Sequence, residues 1–181
     1  MTRRVGDRTK DSGDLLYRRI DSPVGTLTLI GRPDGALRSV RFGDGLPLPP
    51  GSTRAAGELD GAADQIAGYL AGRRTTFDLQ LDPGGSEFQR RVWAALAEVP
   101  FGQTRTYAEI AAVTGSPGAV RGVGAANGAN PLPIVVPCHR VVGSDRRLIG
   151  YGGGLDRKAR LLRHEGVEVC GDRVAPAATL F

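Results

Sequence analysis

Sulfur is scarce in this chain. Its 181 residues include 2 cysteines and 1 methionine, and imidazole is equally rare, with 2 histidines. Two cysteines cannot build the disulfide framework of a small secreted scaffold, so stability must come from a hydrophobic core. No run approaches the roughly 18 consecutive apolar residues of a membrane-spanning helix. The charged opening MTRRVGDRTKDSGD has no apolar stretch behind it to make a secretory signal. These absences point to a reducing, cytoplasmic setting in which thiols stay free, with no membrane partner. Lysine occurs only at Lys10 and Lys158, so positive charge is almost all guanidinium.

Apolar residues make up 40% of the chain, enough for one large or two small domains, each with its own core. The formal net charge is +5 and the pI about 9.8. Its placement says more than its size. Residues 83–165 hold eleven Arg/Lys against six Asp/Glu, while the rest of the chain holds thirteen of each. The whole surplus lies in one segment, as expected of a phosphate-facing domain.

Residues 1–13 read as a polar, disordered tail. Three β-rich pieces follow, at residues 17–20, 26–30 and 37–42. Ser22-Pro23, Asp34-Gly35 and Gly43–Gly45 punctuate them, which predicts a small antiparallel meander. LPLPPGST is a loop. Leu59, Ala63, Ile66, Ala67 and Leu70 fall at helical spacing, and alternating TTFDLQL predicts another strand. DPGG at 82–85 marks a boundary. Beyond it Ser86 caps a helix with Phe88, Val92, Trp93, Leu96 and Val99 on its apolar face, and Thr106 caps a short helix over residues 107–113. A Gly-containing turn and a helix over about 118–129 complete a pattern compatible with helix-turn-helix. An extended NPLPIVVP, a Gly-rich GYGGG loop and a helix over 156–164 follow. The expectation is an α+β protein: a small N-terminal α/β domain with an antiparallel sheet (14–82), a mainly helical domain (83–167) with the helix-turn-helix, and a C-terminal tail (168–181).

GAVRGVGAANGAN is poor helix material, since each interior Gly costs about 1 kcal/mol against Ala. Small side chains let a backbone approach another surface closely, either a packed neighbour helix or a DNA groove. Only Arg121 projects far from it. That side chain is either an ordinary solvated arginine or one that enters a groove and fills the gap left by a displaced base.

In NPLPIVVPCHRVVG a thiol, an imidazole and a guanidinium stand side by side at Cys138, His139 and Arg140. A cysteine reacts as its thiolate and needs a lowered pKa or a nearby base. On an extended segment Cys138 and His139 point to opposite faces, so a water or a local turn must link them. Glu165, in RHEG, is the candidate carboxylate to orient the imidazole. The bland alternative is a buried structural cysteine beside a surface histidine. Zinc is not expected: Cys138, His139, His164 and Cys170 match no finger spacing.

PCHRVVG, with NPLPIVV before it and GYGGGLDRKARLLRHEG after it, resembles the O6-alkylguanine-DNA alkyltransferases. VWAALAEVPFGQTRTYAEIA and AVRGVGAANGANP are similar to the same family, so the likeness runs from about residue 88 to 166 and is weak over 14–82. The resemblance implies a suicide enzyme of DNA repair, helix-turn-helix in architecture, whose active-site Cys138 accepts the alkyl group once. His139 would be the base acting through a water, with Glu165 orienting it. Tyr107 would help rotate the nucleotide out and donate to the leaving guanine, and Arg121 would be the finger that enters the duplex. Asn130 would join the recognition helix to the active-site strand. Ala119, Gly122 and Ala126 would present the smooth face of that helix to DNA. The carbonyls of Cys138 and Val141 would accept from the guanine amino group, with Tyr151, Gly152, Gly153 and Lys158 around the alkyl pocket. Arg140 would support the site. Gly152 replaces a serine found in some members, which implies a looser loop. The implied partner is double-stranded DNA containing O6-alkylguanine, bound by a monomer with clustering on DNA left open, and no metal or cofactor is implied. Two rivals stand beside this reading: a thiol hydrolase using the same three side chains, and a non-catalytic DNA-binding protein.

Overall fold

β-rich pieces, with glycine at the turns, set the first sheet. The chain runs through β1 (Leu16–Ile20), β2 (Leu27–Gly31) and β3 (Leu37–Phe42) as an antiparallel meander, with Leu16 opposite Gly31 and Leu27 opposite Phe42. Gly25 and Gly35 take φ of 98° and 86° at its turns, a region open to glycine. The computed structural model describes residues 14–175; the expected tail at 1–13 and residues 176–181 lie outside the described residues.

A short strand at the end of the expected loop, β4 (Thr53–Arg54), pairs parallel to β1 and gives the order β3-β2-β1-β4. The strand expected over 75–81 does not form, and Leu81 makes only an isolated bridge to Leu37. The reason is competition for backbone groups. Gln65 accepts from the Asp78 N–H and donates to the Asp78 carbonyl, at 2.8 and 2.7 Å, so that stretch is tied to the helix. That helix, α1 (Asp60–Leu70), buries Ala63, Ile66 and Leu70 as expected but leaves Ala67 exposed and buries Tyr69 instead. It lies tight on the sheet: a Cβ on Gly31 would stand 2.5 Å from Leu59 Cδ2.

The second half begins with two capping boxes. Ser86 and Gln89 open α2 (Glu87–Ala97), and Thr106 and Glu109 open α3 (Tyr107–Val113), just after the short strand β5 (Arg105–Thr106). α4 (Val120–Gly128) packs on both α2 and α3. β6 (Val141–Val142) then pairs parallel to β5, and α5 (Leu155–His164) follows the glycine loop.

Within the expected C-terminal tail, residues 168–175 are ordered into structure. β7 (Val169–Cys170) and β8 (Arg173–Val174) form a hairpin, and Val169 and Val174 are buried with Val142, Leu148, Ala159 and Leu162 in a second small core. The main core is continuous through both halves and joins Leu27, Leu59 and Ile66 to Val92, Leu96, Val136 and Cys138.

Candidate active site

The segment before Cys138 is not the extended stretch expected of NPLPIVVP. Pro131, Pro133 and Pro137 have no N–H to offer a ladder, and Ile134 takes a left-handed φ of 77°. Its backbone bonds close locally instead: Val136 N–H to the Leu132 carbonyl, Cys138 N–H to the Val136 carbonyl, each at 2.8 Å. Cys138–Arg140 then form one turn of 3-10 helix. A β-branched residue in the left-handed region costs roughly 1–3 kcal/mol, which complete burial of the Ile134 side chain offsets. On this turn successive side chains step by about 120° rather than the 180° of an extended segment, so Cys138 and His139 do not point to opposite faces. Asn130, just past the end of α4, holds this coil: its Nδ2 donates to the Val136 carbonyl at 2.8 Å and its Oδ1 accepts from Leu132 N–H at 3.0 Å.

Behind the turn sits a buried charged cluster. Glu165 is the residue after α5, where Gly166 at φ 79° ends the helix. Its Oε1 accepts from His139 Nε2 at 2.9 Å, Arg140 Nη2 at 2.8 Å and the Tyr69 hydroxyl at 2.5 Å. Its Oε2 accepts from Arg140 Nε at 2.9 Å and from Gly102 N–H at 3.1 Å. Burial alone would raise the Glu165 pKa, but the donors from His139, Arg140 and Tyr69 outweigh it and hold the carboxyl at about 2. With an anionic acceptor facing Nε2, that nitrogen carries the imidazole proton, so Nδ1 keeps the lone pair. Nδ1 is buried and has no protein partner. Burial keeps the His139 pKa below its ordinary value, against the pull of Glu165, so the ring rests neutral and able to accept a proton.

Cys138 is 4% exposed. Burial pushes its thiol up to about 11, against the opposing effects of Asn130 and the Lys158 charge, so the resting sulfur is protonated. It nevertheless forms part of the wall of a cavity of about 440 Å³, together with Phe42, Asn127, Asn130, Tyr151 and Gly153. That volume lies within the range of small-ligand sites. A larger apolar hollow between α2 and α3, about 720 Å³, is lined by neither thiol nor imidazole.

The other expected site residues divide into those on this cavity and those beside it. Tyr151 lines it with its hydroxyl unpartnered, and Gly153 is there because a Cβ would stand 2.6 Å from the Phe42 ring. Gly152 lines it too and is exposed, with open space where a side chain would go. The loop is held on either side of Gly152. Tyr107, at the start of α3, donates to the Ile149 carbonyl at 3.2 Å, Arg157 donates to the Gly153 carbonyl at 3.0 Å, and Lys158 Nζ donates to the Ile149 carbonyl at 2.6 Å. Lys158 and Val141 are both fully buried and lie behind the cavity wall, where Lys158 Nζ also donates to the Val141 carbonyl at 2.5 Å. Burial brings the Lys158 pKa down to about 8.

On α4, Arg121 is exposed and Ala119 is the half-buried N-cap. Gly122 faces inward at least in part, since a Cβ there would meet the Phe88 ring at 3.5 Å. Ala126 is a correction: it is 3% exposed, and its carbonyl accepts from Trp93 Nε1 at 2.8 Å, so it belongs to the α2–α4 contact and not to a DNA-facing surface. The small residues of this helix therefore serve close packing on one side, while Arg121, Ala125 and Gly128 look outward. Tyr69 and Asn127 escaped the sequence reading. An aromatic or an amide on an amphipathic helix carries no mark of the site it will reach from elsewhere in the chain.

Residues 87–167 match the family described as 6-O-methylguanine DNA methyltransferase, DNA binding domain, and residues 15–83 match the ribonuclease-like domain of the same family. The chain belongs to the O6-methylguanine-DNA methyltransferases. Among relatives in this family, the methylated-DNA–protein-cysteine methyltransferase of Mycolicibacterium paratuberculosis is 54% identical over 151 residues, which span 82% of this chain and 91% of the relative. That of Methanosarcina barkeri is 44% identical over 154 residues, 83% of this chain and 97% of the relative. The crystal structure of the Mycobacterium tuberculosis methyltransferase in complex with DNA superposes with a TM-score of 0.78 at 49% identity, covering 83% of this chain and 92% of that one.

Proposed function

We propose that this O6-methylguanine-DNA methyltransferase repairs DNA by direct reversal, taking the alkyl group of a flipped-out O6-alkylguanine onto Cys138. The observation that carries the reading is the position of that sulfur: nearly buried, on the wall of a cavity, and adjacent in the chain to an imidazole held by an ionised carboxylate. A thiol held at about 11 cannot attack unaided at neutral pH. His139 Nδ1 takes the thiol proton through a water, and the sulfur attacks the O-alkyl carbon. The C–O bond breaks with its electron pair staying on the base, and Tyr107 donates the proton that leaves guanine neutral. The proton held by the imidazolium replaces the one Tyr107 gave up. The net change moves one alkyl group to sulfur and one proton to guanine, and the thioether product has no route back, so each molecule acts once.

α3 and α4 are read as a helix-turn-helix whose second helix meets the minor groove, with Arg121 entering the stack behind the displaced base. Arg121 is exposed on α4, as suits a side chain that reaches a phosphate or groove. The relative solved with DNA supports double-stranded DNA as the partner. The domains are taken as 14–82 and 83–167, acting as a monomer in a reducing, cytoplasmic compartment. No helix of the described residues is long and apolar enough to cross a membrane.

Intact-mass spectrometry after incubation with an oligonucleotide duplex containing O6-methylguanine tests the proposal. One added methyl group, mapped to Cys138, is expected. Methylation elsewhere, or sustained turnover of an ester by the same side chains, overturns it in favour of other chemistry.

A further inference from the structure

Tyr69 lies on α1, in the half of the chain that holds the sheet, yet its hydroxyl touches the carboxylate behind Cys138. It is fully buried and donates to Glu165 Oε1 at 2.5 Å, with His139 Nε2 3.5 Å from the same hydroxyl. Its ring is clamped by Phe77, Phe101 and His164, with centroids 5.3, 6.0 and 5.2 Å away, and its carbonyl accepts from His164 Nε2 at 2.7 Å. The side chain therefore has no freedom to leave Glu165 without disturbing both halves of the core.

We infer that Tyr69 is a positioning residue for alkyl transfer: its hydroxyl competes with His139 for Glu165 Oε1, and so sets the orientation and basicity of the imidazole from the N-terminal half of the chain. This rests on the proposed role of His139 as base. Oε1 has three close donors: the Arg140 guanidinium, the His139 ring, which becomes charged when it takes a proton, and Tyr69, which stays neutral throughout. A strong neutral donor there satisfies part of the carboxylate's capacity without adding charge, leaving less of it to stabilise an imidazolium. Burial, and then the Glu165 charge, raise the phenol pKa, so Tyr69 stays a donor throughout the working pH range. The ionisable groups facing His139 are Glu165, Arg140 and Tyr69 on one side, and Cys138, Lys158 and Tyr151 on the other. Of the donors to Glu165 Oε1, Tyr69 is the one that can lose its polar atom while keeping its ring.

The test is the single-turnover rate of methyl transfer from a methylated duplex, measured across pH for the full chain and for Tyr69→Phe. With the donor gone, Glu165 binds the imidazolium more tightly and His139 titrates higher. The acid limb of the profile should move up by roughly 0.5–1 pH unit, so that at a fixed pH on that limb the rate should fall roughly 3- to 10-fold, with a smaller change on the plateau above it. In a Glu165→Gln background the same change should have little further effect. Tyr69 replaced by 3,5-difluorotyrosine keeps the ring and sharpens the donor, and should move the limb the other way. An unchanged profile in Tyr69→Phe, an effect additive with Glu165→Gln, or a difluorotyrosine shift upward each overturns the inference. If wild-type protein gains no methyl group on Cys138, the proposed function has failed instead.

Discussion

Replacing Glu165 by Gln removes one negative charge and leaves a guanidinium behind. Arg140 is 5% exposed and has no other carboxylate among the hydrogen bonds that hold it; what remains is Nη1 to the Val99 carbonyl at 2.5 Å and the Phe101 ring, 5.9 Å from the guanidinium carbon. Breaking a buried pair from one side costs about 3–5 kcal/mol, because the orphaned ion stays out of water. For a chain of this size each kcal/mol moves the melting temperature by about 2–4 °C, so Glu165→Gln should melt roughly 6–20 °C below wild type at pH 7. The pH dependence is a second check. The folded pKa of Glu165, about 2, lies below its ordinary 4.5. Its contribution is therefore complete above pH 4.5 and is lost as pH falls from there towards 2. The gap between variant and wild type should persist to pH 5 and close below it. Thermal unfolding by circular dichroism at pH 7, 5 and 3 measures both. A variant that melts within 2 °C of wild type at pH 7 would refute the claim that this carboxylate compensates a buried cation.

Arg121→Ala should slow repair of duplex DNA by tenfold or more while leaving reaction with a free O6-alkylguanine base nearly unchanged, because a solvent-facing side chain on α4 can act only through the duplex; equal slowing of both in quenched kinetics would exclude the finger role. Deleting residues 168–181 should cost about 3–6 kcal/mol through loss of two buried valines, Val169 and Val174, and lower the melting temperature accordingly. A deletion that melts like the full chain would return the hairpin to the status of a tail.

Much of the local structure was legible in the residues because its causes are local. Ser86 with Gln89 and Thr106 with Glu109 set the starts of α2 and α3 through side chains three residues apart, and the meander followed its β-rich pieces and the turn residues between them. The site pair Cys138 and His139 stood out because two rare residue types were adjacent. Where the reading failed, a distant group had won. Residues 75–81 alternate like a strand, but Gln65 claims the polar groups of Asp78. NPLPIVVP reads as extended, yet its prolines and the left-handed Ile134 turn it back on itself. Ala126 suited a smooth DNA-facing helix until Trp93 reached its carbonyl.

The sequence by itself determined which atoms could react: one thiol beside one imidazole, a lone arginine on a helix of small residues, and a basic surplus confined to a single segment. Only the tertiary structure decided how those atoms behave. Burial raises the thiol, and a carboxylate from the end of α5 selects which imidazole nitrogen is free. A phenol from α1, 96 residues away along the chain, shares that carboxylate. Proton affinity depends on the groups packed around an atom and on the water excluded from it, and neither is a property of neighbouring letters.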